Sequence, residues 1–422
     1  MKILVLDDDP TGTQSATGVP VLLETGDATL SRDIEDALRA DDALYVLTNS
    51  RALGTDEAVA LARRIRTAAL EAVARLGTGV RFILRGDSTL RGHVFAESDA
   101  FATDASVMLF VPAFPAGGRT TRDGVHYVRV GEADVPAAET EYADDPVFGF
   151  GSSDMRGYVA EQGGGRPALT VALDDLRATG GGALADALTS AAPGTVVAPD
   201  AVTDADIDLV HHALVRAWAA GRDVVVRCAA PLAARCADAA STGPLPKPLD
   251  RAPGPVLVVC GSHTSGATAQ LAALEHDRGL RPVVLDTDAA LADPAAAGAD
   301  LVERARAALR DNGAAVIASE RHRRAADNTL GHGERVMAAL TAAVHELSGE
   351  VAAVVAKGGI TSAEVARTGL GARVARVRGQ VLPGISVWDL PTPSGATVPY
   401  VVVPGNVGGE TTLVDVLTAF NA

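Results

Sequence analysis

The sequence predicts an α/β fold, with two α/β domains built on largely parallel sheets, and three observations lead there. Short apolar runs alternate with amphipathic helical stretches from end to end. Each run closes in a polar or Gly/Pro turn, as strands feeding helices do. At 422 residues the chain has the length of two or three domains, and one proline-rich stretch divides it. Ile3 to Leu6 reads as the first buried strand and Ala43 to Leu47 as the next. From Asp56 to Leu76 the apolar Ala62, Ile65, Ala69, Val73 and Leu76 recur at three and four residues, on one helical face. Thr55 is the expected N-cap, with Asp56 and Glu57 in the first turn. Arg81 to Leu84 and Val107 to Val111 are further strands. The segment 132–165 is Gly-rich and without a period, and is expected to be a long irregular, lid-like insertion.

Ser241 to Pro255, STGPLPKPLDRAPGP, holds five prolines and no apolar period. It is the expected linker between a domain at 1–240 and one at 256–422. A fresh series follows at Val256 to Val259, Pro282 to Leu285, Ala315 to Ala318, Val351 to Ala356 and Tyr400 to Val403. Helical stretches separate most of these, for instance Asp300 to Arg310, which closes at Gly313.

Charge narrows the partners. With 37 Lys and Arg against 53 Asp and Glu, the formal net charge is −16. Such a surface repels phosphate backbones and anionic lipid, so neither nucleic acid nor a membrane is an expected partner. A few arginines inside a cleft can still draw in a small anion. Cys228, Cys236 and Cys260 are an odd set without paired metal spacing, which fits buried thiols in a reducing compartment. The acidic run in MKILVLDDDP comes too early for a signal h-region, and no apolar run approaches about 18 residues. A soluble, cytoplasmic protein is expected.

The polar clusters sit at strand ends, where open α/β sheets bind ligands. Asp7-Asp8-Asp9-Pro10-Thr11-Gly12-Thr13-Gln14 follows the first strand. Three adjacent carboxylates repel one another and need a cation, an arginine or a hydroxylated ligand between them. Thr48-Asn49-Ser50-Arg51 lines up four hydrogen-bonding side chains. Arg85-Gly86-Asp87-Ser88-Thr89-Leu90-Arg91-Gly92-His93 sets two arginines, an aspartate and two hydroxyls around two glycines, an inventory suited to an anionic, polyhydroxylated substrate. The competing reading is an Arg85–Asp87 or Arg91–Asp87 ion pair that holds a turn. A fourth cluster, Pro112 to Thr120, offers Arg119, with His126 downstream.

The second half carries glycine-rich strand-to-helix turns at Cys260 to Gly266, Ala356 to Ser362 and Val403 to Glu410. Three such turns in one domain predict a phosphate cradle, because free amides and the helix dipole favour anions. No G-x-x-x-x-G-K-[ST] is present, so the cradle is not a P-loop. His263, His322 and His332 lack metal-ligand spacing, and His211-His212 reads as a solvated helical pair.

On these residues the chain resembles the four-carbon acid sugar kinase family over nearly its whole length. Asp8-Asp9-Pro10-Thr11-Gly12 matches that family's Asp-Asp-x-Thr-Gly turn, Thr48 to Arg51 its T-x-S-R element and Asp87 to Gly92 its D-S-T-x-R-G element. Gly261-Ser262, Gly358-Gly359-Ile360-Thr361 and Gly405-Asn406-Val407-Gly408-Gly409 resemble its nucleotide-binding signatures. Pro10 and Thr13 stand where the family usually has an apolar residue and an alanine, and His263 where a cysteine is common.

The resemblance implies an N-terminal substrate domain, a C-terminal nucleotide-binding domain, and phosphorylation of a C4 sugar acid with ATP and Mg²⁺. The acid would be of threonate, erythronate or 3-oxo-tetronate type. On this reading Asp8 or Asp9 accepts the hydroxyl proton, or orients it with magnesium. Arg51, Arg85 and Arg91 hold the substrate, with Asn49, Ser50, Asp87 and Ser88 beside them. Ser262, Lys357, Gly358, Gly359, Ile360, Thr361, Gly405 and Asn406 hold ATP, Lys357 reaching a phosphate, and the two domains close over both ligands. The metal ligands and the oligomeric state stay open, a homodimer being one option. Two alternatives remain. An NAD-linked oxidoreductase would use the strand-turn-helix at Val256 to Leu274 and Asp286, but Gly261 and Gly266 do not form G-x-G-x-x-G. A non-catalytic sugar-acid-binding protein would bind without turnover.

Overall fold

Runs of apolar residues that leave no polar face fold here as strands buried on both sides. The structure, a computed structural model, describes residues 1–26, 28–321, 330–392, 395–405 and 407–421. It comprises two compact units, one of Met1–Val19 and Thr25–Ala240, the other of Pro20–Glu24 and Ser241–Ala422. In chain order the first strands are β1 (Lys2–Asp7), β2 (Pro20–Leu22), β3 (Ala43–Leu47), β4 (Val80–Arg85) and β5 (Val107–Val111). Then come β6 (Arg119–Arg122), β7 (Val125–Val130), β8 (Ala133–Pro136), β9 (Ala168–Val171), β10 (Val196–Pro199) and β11 (Val224–Cys228). The remainder are β12 (Val256–Cys260), β13 (Val283–Val284), β14 (Ala314–Ala318), β15 (Ala353–Lys357), β16 (Val374–Leu382), β17 (Ile385–Pro391) and β18 (Thr397–Val403).

The first unit carries a parallel sheet in the order β3-β1-β4-β11-β5-β10-β9. Both β3 and β5 are buried at every position, as a parallel sheet covered on both faces requires. The register sets Asp7 beside Leu47 and Arg85, and Cys228 beside Arg85 and Val111, so several polar loops leave the sheet at one level. Helix Thr55–Arg75 buries Leu61, Ala62, Ile65, Ala69 and Val73, the face its periodicity predicts. Its N-cap is Gly54 rather than Thr55: Gly54 is the residue in extended conformation, and its amide meets Glu57 Oε2 at 3.2 Å.

A second, antiparallel sheet β6-β7-β8 is joined by an Asp123-Gly124 hairpin turn with φ of 53° and 73°. Asp200 accepts the amides of Asp123 and Gly124 at 2.9 and 3.0 Å. The segment 132–165 is therefore built structure, not an irregular lid. It contains β8 and helix Met155–Gln162, whose Tyr158 packs on Phe95, Phe110 and Phe150.

The second unit has a sheet in the order β13-β14-β12-β15-β18-β17-β16-β2. The five strands from β13 to β18 in that order run parallel, and β17, β16 and β2 are antiparallel to their neighbours. The β16–β17 ribbon turns at Pro383-Gly384, where Leu382 pairs with Ile385 and Gly384 takes a φ of 76°. Two features depart from the expected division. Pro20–Glu24 belongs to this unit, with Val21 and Leu22 beside Ala375 and Val374. The proline-rich stretch is part of it too, since Leu249 is buried and its amide bonds Ala419 O at 2.7 Å. Helix Pro294–Asn312 ends on Gly313 at a φ of 67°, as its sequence predicts. All three cysteines are buried free thiols. Among the described residues no helix is long and apolar enough to cross a membrane.

Candidate functional site

Burying three neighbouring carboxylates at the end of β1 requires matching cations, and the neighbouring strands supply them. Arg85, last residue of β4, places Nη1 2.9 Å from Asp7 Oδ1, 3.2 Å from Asp8 Oδ1 and 3.3 Å from the Asp9 carbonyl. Arg51, in the loop after β3, puts Nη2 2.6 Å from Asp9 Oδ2, Nε 3.5 Å from Asp8 Oδ1 and Nη1 3.7 Å from Asp87 Oδ1. Arg227, inside β11, bridges Asp8 Oδ2 at 3.4 Å and Glu97 Oε2 at 2.7 Å. Its guanidinium lies over Gly86, where an added Cβ would stand 2.5 Å from Nη2. A side chain there would have to displace the Arg227 guanidinium.

The three aspartates then part company in proton affinity. Burial raises Asp7 to a pKa of about 7, against the pull of Arg85, and its Oδ2 has no hydrogen-bond partner. Burial also raises Asp8, despite Arg51, Arg85 and Arg227 around it. For Asp9 burial is outweighed by Arg51, Arg85 and the Thr11 amide, 2.8 Å from Oδ1, and its pKa falls. Asp9 is thus the ionised N-cap of the turn Pro10–Ser15, while Asp8 is the more basic carboxylate beside it.

The loop from Asp87 to Gly92 closes over these groups. Leu90 and Gly92 have φ of 69° and 109°, and a Cβ at Gly92 would lie 3.3 Å from Asp8 Oδ2. The unusual backbone is held from outside: Tyr158 Oη donates to Leu90 O at 2.7 Å, and His126 Nε2 lies 2.8 Å from Ser88 O. Asp87 receives Arg91 Nε at 2.8 Å and the Thr89 hydroxyl, and the charge of Arg51 together with these partners outweighs burial to hold it ionised. The Arg91 guanidinium also stacks over Tyr142 at 5.0 Å and places Nη1 3.6 Å from Asp145 Oδ2. The segment 132–165 therefore braces this loop through Tyr142, Asp145 and Tyr158.

His126 offers a test of that bracing. Fully buried, it has its pKa pushed down to about 4, with Nδ1 3.0 Å from Thr121 Oγ1. The unfolded chain, with a pKa near 6.5, takes up the proton first, so stability falls as pH drops from about 6.5 towards 4. His126→Asn is expected to remove up to about 3 kcal/mol of that pH dependence, read from urea unfolding at pH 7 and pH 4. The same pH slope in both proteins would contradict it.

The sequence candidates of this unit meet, but not in one role. Arg85 is 4% exposed, with Nη1 shared among Asp7, Asp8 and the Asp9 carbonyl and Nε buried without a hydrogen-bond partner. Arg51 and Arg91 keep 19% and 22% of their side chains exposed. Asn49 is half-buried in the left-handed region, with a φ of 49°. Ser50 Oγ is buried without a hydrogen-bond partner, and Ser88 lends its carbonyl to His126. Arg119 donates to the Gly117 carbonyl of its own turn. Sequence reading missed Arg227 and Glu97, although a lone arginine in the strand VVVRC was a signal.

In the second unit the three glycine turns converge on Ser262. A Cβ at Gly358, whose φ is 114°, would lie 3.1 Å from Ser262 Cβ, and one at Gly405 would lie 3.2 Å from Ser262 Oγ. Thr264 Oγ1 donates to Gly405 O at 2.9 Å. Thr264 also caps helix Ser265–Arg278, whose first amides have no intrahelical acceptor. Thr361 is buried, Gly359 half-buried and Ile360 exposed. Lys357 does not reach outward: it is fully buried, and its Nζ donates to Pro404 O at 2.7 Å and Val407 O at 3.3 Å. Burial lowers its pKa to about 8, and it ties down the turn after β18. Asn406 and His322 lie outside the described residues. Arg321 was missed; it donates to Ser262 O and, at 3.3 Å, to Thr268 Oγ1. Asp286 is exposed and caps helix Thr287–Ala292, its Oδ1 accepting the Ala289 amide at 3.0 Å.

Among the described residues no three His, Cys, Asp or Glu side chains gather as a metal site, and Asp8, Asp9 and Asp87 all face guanidinium groups.

Residues 3–236 match the family described as "Sugar-binding N-terminal domain", and residues 257–413 match "Nucleotide-binding C-terminal domain". A D-threonate kinase of Salmonella typhimurium is 30% identical over 99% of this chain and 98% of its own length. A D-erythronate kinase of Heliobacterium modesticaldum is 32% identical over 65% of this chain and 60% of its own. A crystal structure of a Haemophilus influenzae protein shares the fold, with a TM-score of 0.65 at 18% identity over 99% of this chain and 100% of that one. With both halves matched and a relative aligned end to end, the chain belongs to the four-carbon acid sugar kinase family.

Proposed function

We propose that the protein transfers the terminal phosphoryl group of ATP to a hydroxyl of a four-carbon sugar acid of the threonate or erythronate type. The observation that carries this reading is the cluster at the carboxyl ends of parallel strands in which Asp8, a carboxylate of raised basicity, meets Arg51, and Asp87 meets both Arg51 and Arg91, the two guanidinium-bearing side chains staying about a fifth exposed. The names of the threonate and erythronate kinases similar to this chain support it. Sugar hydroxyls donate to carboxylates and accept from guanidinium groups, so a mixed Arg/Asp lining suits a polyhydroxylated anion.

Arg91 takes the acid's carboxylate two-pronged, and Asp8 accepts the proton of the attacking hydroxyl as its oxygen bonds to the terminal phosphorus and the bond from that phosphorus to the bridging oxygen breaks, releasing ADP. Asp9 keeps the turn in place, and Arg85 and Arg227 hold Asp8. The turns at Ser262, Gly358 to Thr361 and Gly405 would hold the nucleotide, which supplies the phosphoryl group. Magnesium enters this reading as a companion of the nucleotide phosphates, since among the described residues no cluster of His, Cys, Asp or Glu side chains would hold it.

Arg91→Lys keeps the charge and loses the fork. Its KM for the acid is expected to rise roughly ten- to a hundredfold, at about 1.5–3 kcal/mol per charged hydrogen bond, with the ATP KM unmoved. An unchanged acid KM with a lowered melting temperature would reduce Arg91 to a structural partner of Asp87.

Gly266 tests the cradle more cleanly than Gly358, whose φ resists any side chain. A Cβ at Gly266 meets nothing within 4 Å, so Gly266→Val should fold normally. It is expected to raise the ATP KM about tenfold or more by crowding the first amides of the helix, with the acid KM constant. Wild-type ATP KM in that variant would remove this turn from the site.

A further inference from the structure

We propose that the cleft between helix Ser265–Arg278 and β13 takes the nucleoside half of the nucleotide, its ribose and base. This rests on the reading that the glycine turns hold the phosphates. Thr268, Leu271, Ala272 and Glu275 recur at three and four residues and line one helix face. Pro282 and Val284 form the opposite wall of an open cleft of about 310 Å³, at the small end of the range of small-molecule pockets.

Arg321 joins this cleft to the cradle, because one guanidinium reaches both the Ser262 carbonyl of the turn and Thr268 Oγ1 of the cleft. A molecule anchored by its phosphates at the first helical turn is therefore led along the helix face. From Ser265 to Glu275 the helix rises about 15 Å, room for a nucleoside beyond the phosphates. Midway the walls are apolar and open: Ala272 is exposed and Val284 is 39% exposed. Such surface suits the face of a flat heteroaromatic ring. At the far end Glu275 and Arg281, 3.1 Å apart and exposed, offer an acceptor and donors to ribose hydroxyls or a base edge.

The test is calorimetric titration of the full chain with MgATP and with inorganic tripolyphosphate. Ala272→Trp fills the cleft from an exposed position, and Val284→Glu places a charge on its apolar wall. The wild-type protein is expected to bind ATP at least about tenfold more tightly than tripolyphosphate, since burying an apolar ring is worth that much. Each variant should lose about tenfold or more for ATP and nothing for tripolyphosphate; two independent positions guard against one misfolding. Wild-type ATP affinity in both variants, or equal affinity for the two ligands in the wild type, would overturn the subsite and leave the cradle standing. Failure of the wild type to bind either ligand would overturn the cradle and the subsite together.

Discussion

Asp8→Asn is expected to lower turnover at least about a hundredfold while the affinity for ATP holds, the loss typical of removing a general base. The two adjacent aspartates differ in a way that makes the comparison sharp. Asp9 caps the turn Pro10–Ser15 and is held ionised, and asparagine caps as well as aspartate, so Asp9→Asn should cost far less. Asp8 instead faces the guanidinium groups of Arg51, Arg85 and Arg227, and burial lifts its basicity. Its titration should also set the acid limb of kcat/KM, activity falling as the pH drops and the carboxylate takes up a proton. Steady-state kinetics of both variants across pH measures this. Equal losses in the two variants, or wild-type turnover in Asp8→Asn, would displace Asp8 as the base.

The largest effect on stability is expected at Arg227. Replacing it with methionine leaves Asp8 and Glu97 buried without the cation between them, and breaking a buried pair in this way costs about 3–5 kcal/mol. Adding Glu97→Gln should recover part of the loss, because Asp8 keeps Arg51 and Arg85 beside it and Glu97 is the charge left stranded. Urea unfolding of the single and double variants reads both numbers. A single-variant loss below about 1 kcal/mol would mean that water or a rearranged Arg85 replaces Arg227.

How legible this was from sequence depended on how local the cause is. Ala43–Leu47 and Val107–Val111 were read with their observed bounds, because an unbroken apolar run marks a doubly covered strand. The hairpins at Asp123-Gly124 and Pro383-Gly384 carried two-residue turn signals that went unread amid short, partly polar strands. The three residues of β2 could not be placed, since their partner β16 lies some 350 positions away and pairing at that range leaves no local mark.

The site follows the same rule. Sequence supplied the residue types that gather at the strand ends, because loops there are where an α/β sheet presents side chains. It did not supply their burial. Arg85 and Lys357 have the chemistry to hold an anion, yet one is locked among three aspartates and the other among backbone carbonyls. Arg227 acts from inside an apolar strand, where pattern reading expects only packing.

The most direct measurement is phosphorus NMR of the protein incubated with MgATP and D-threonate or D-erythronate. The reading offered here requires ADP and a new phosphate monoester in equal amounts, formed only when the acid is present. ADP release without the ester, or no consumption of ATP with either acid, would contradict it.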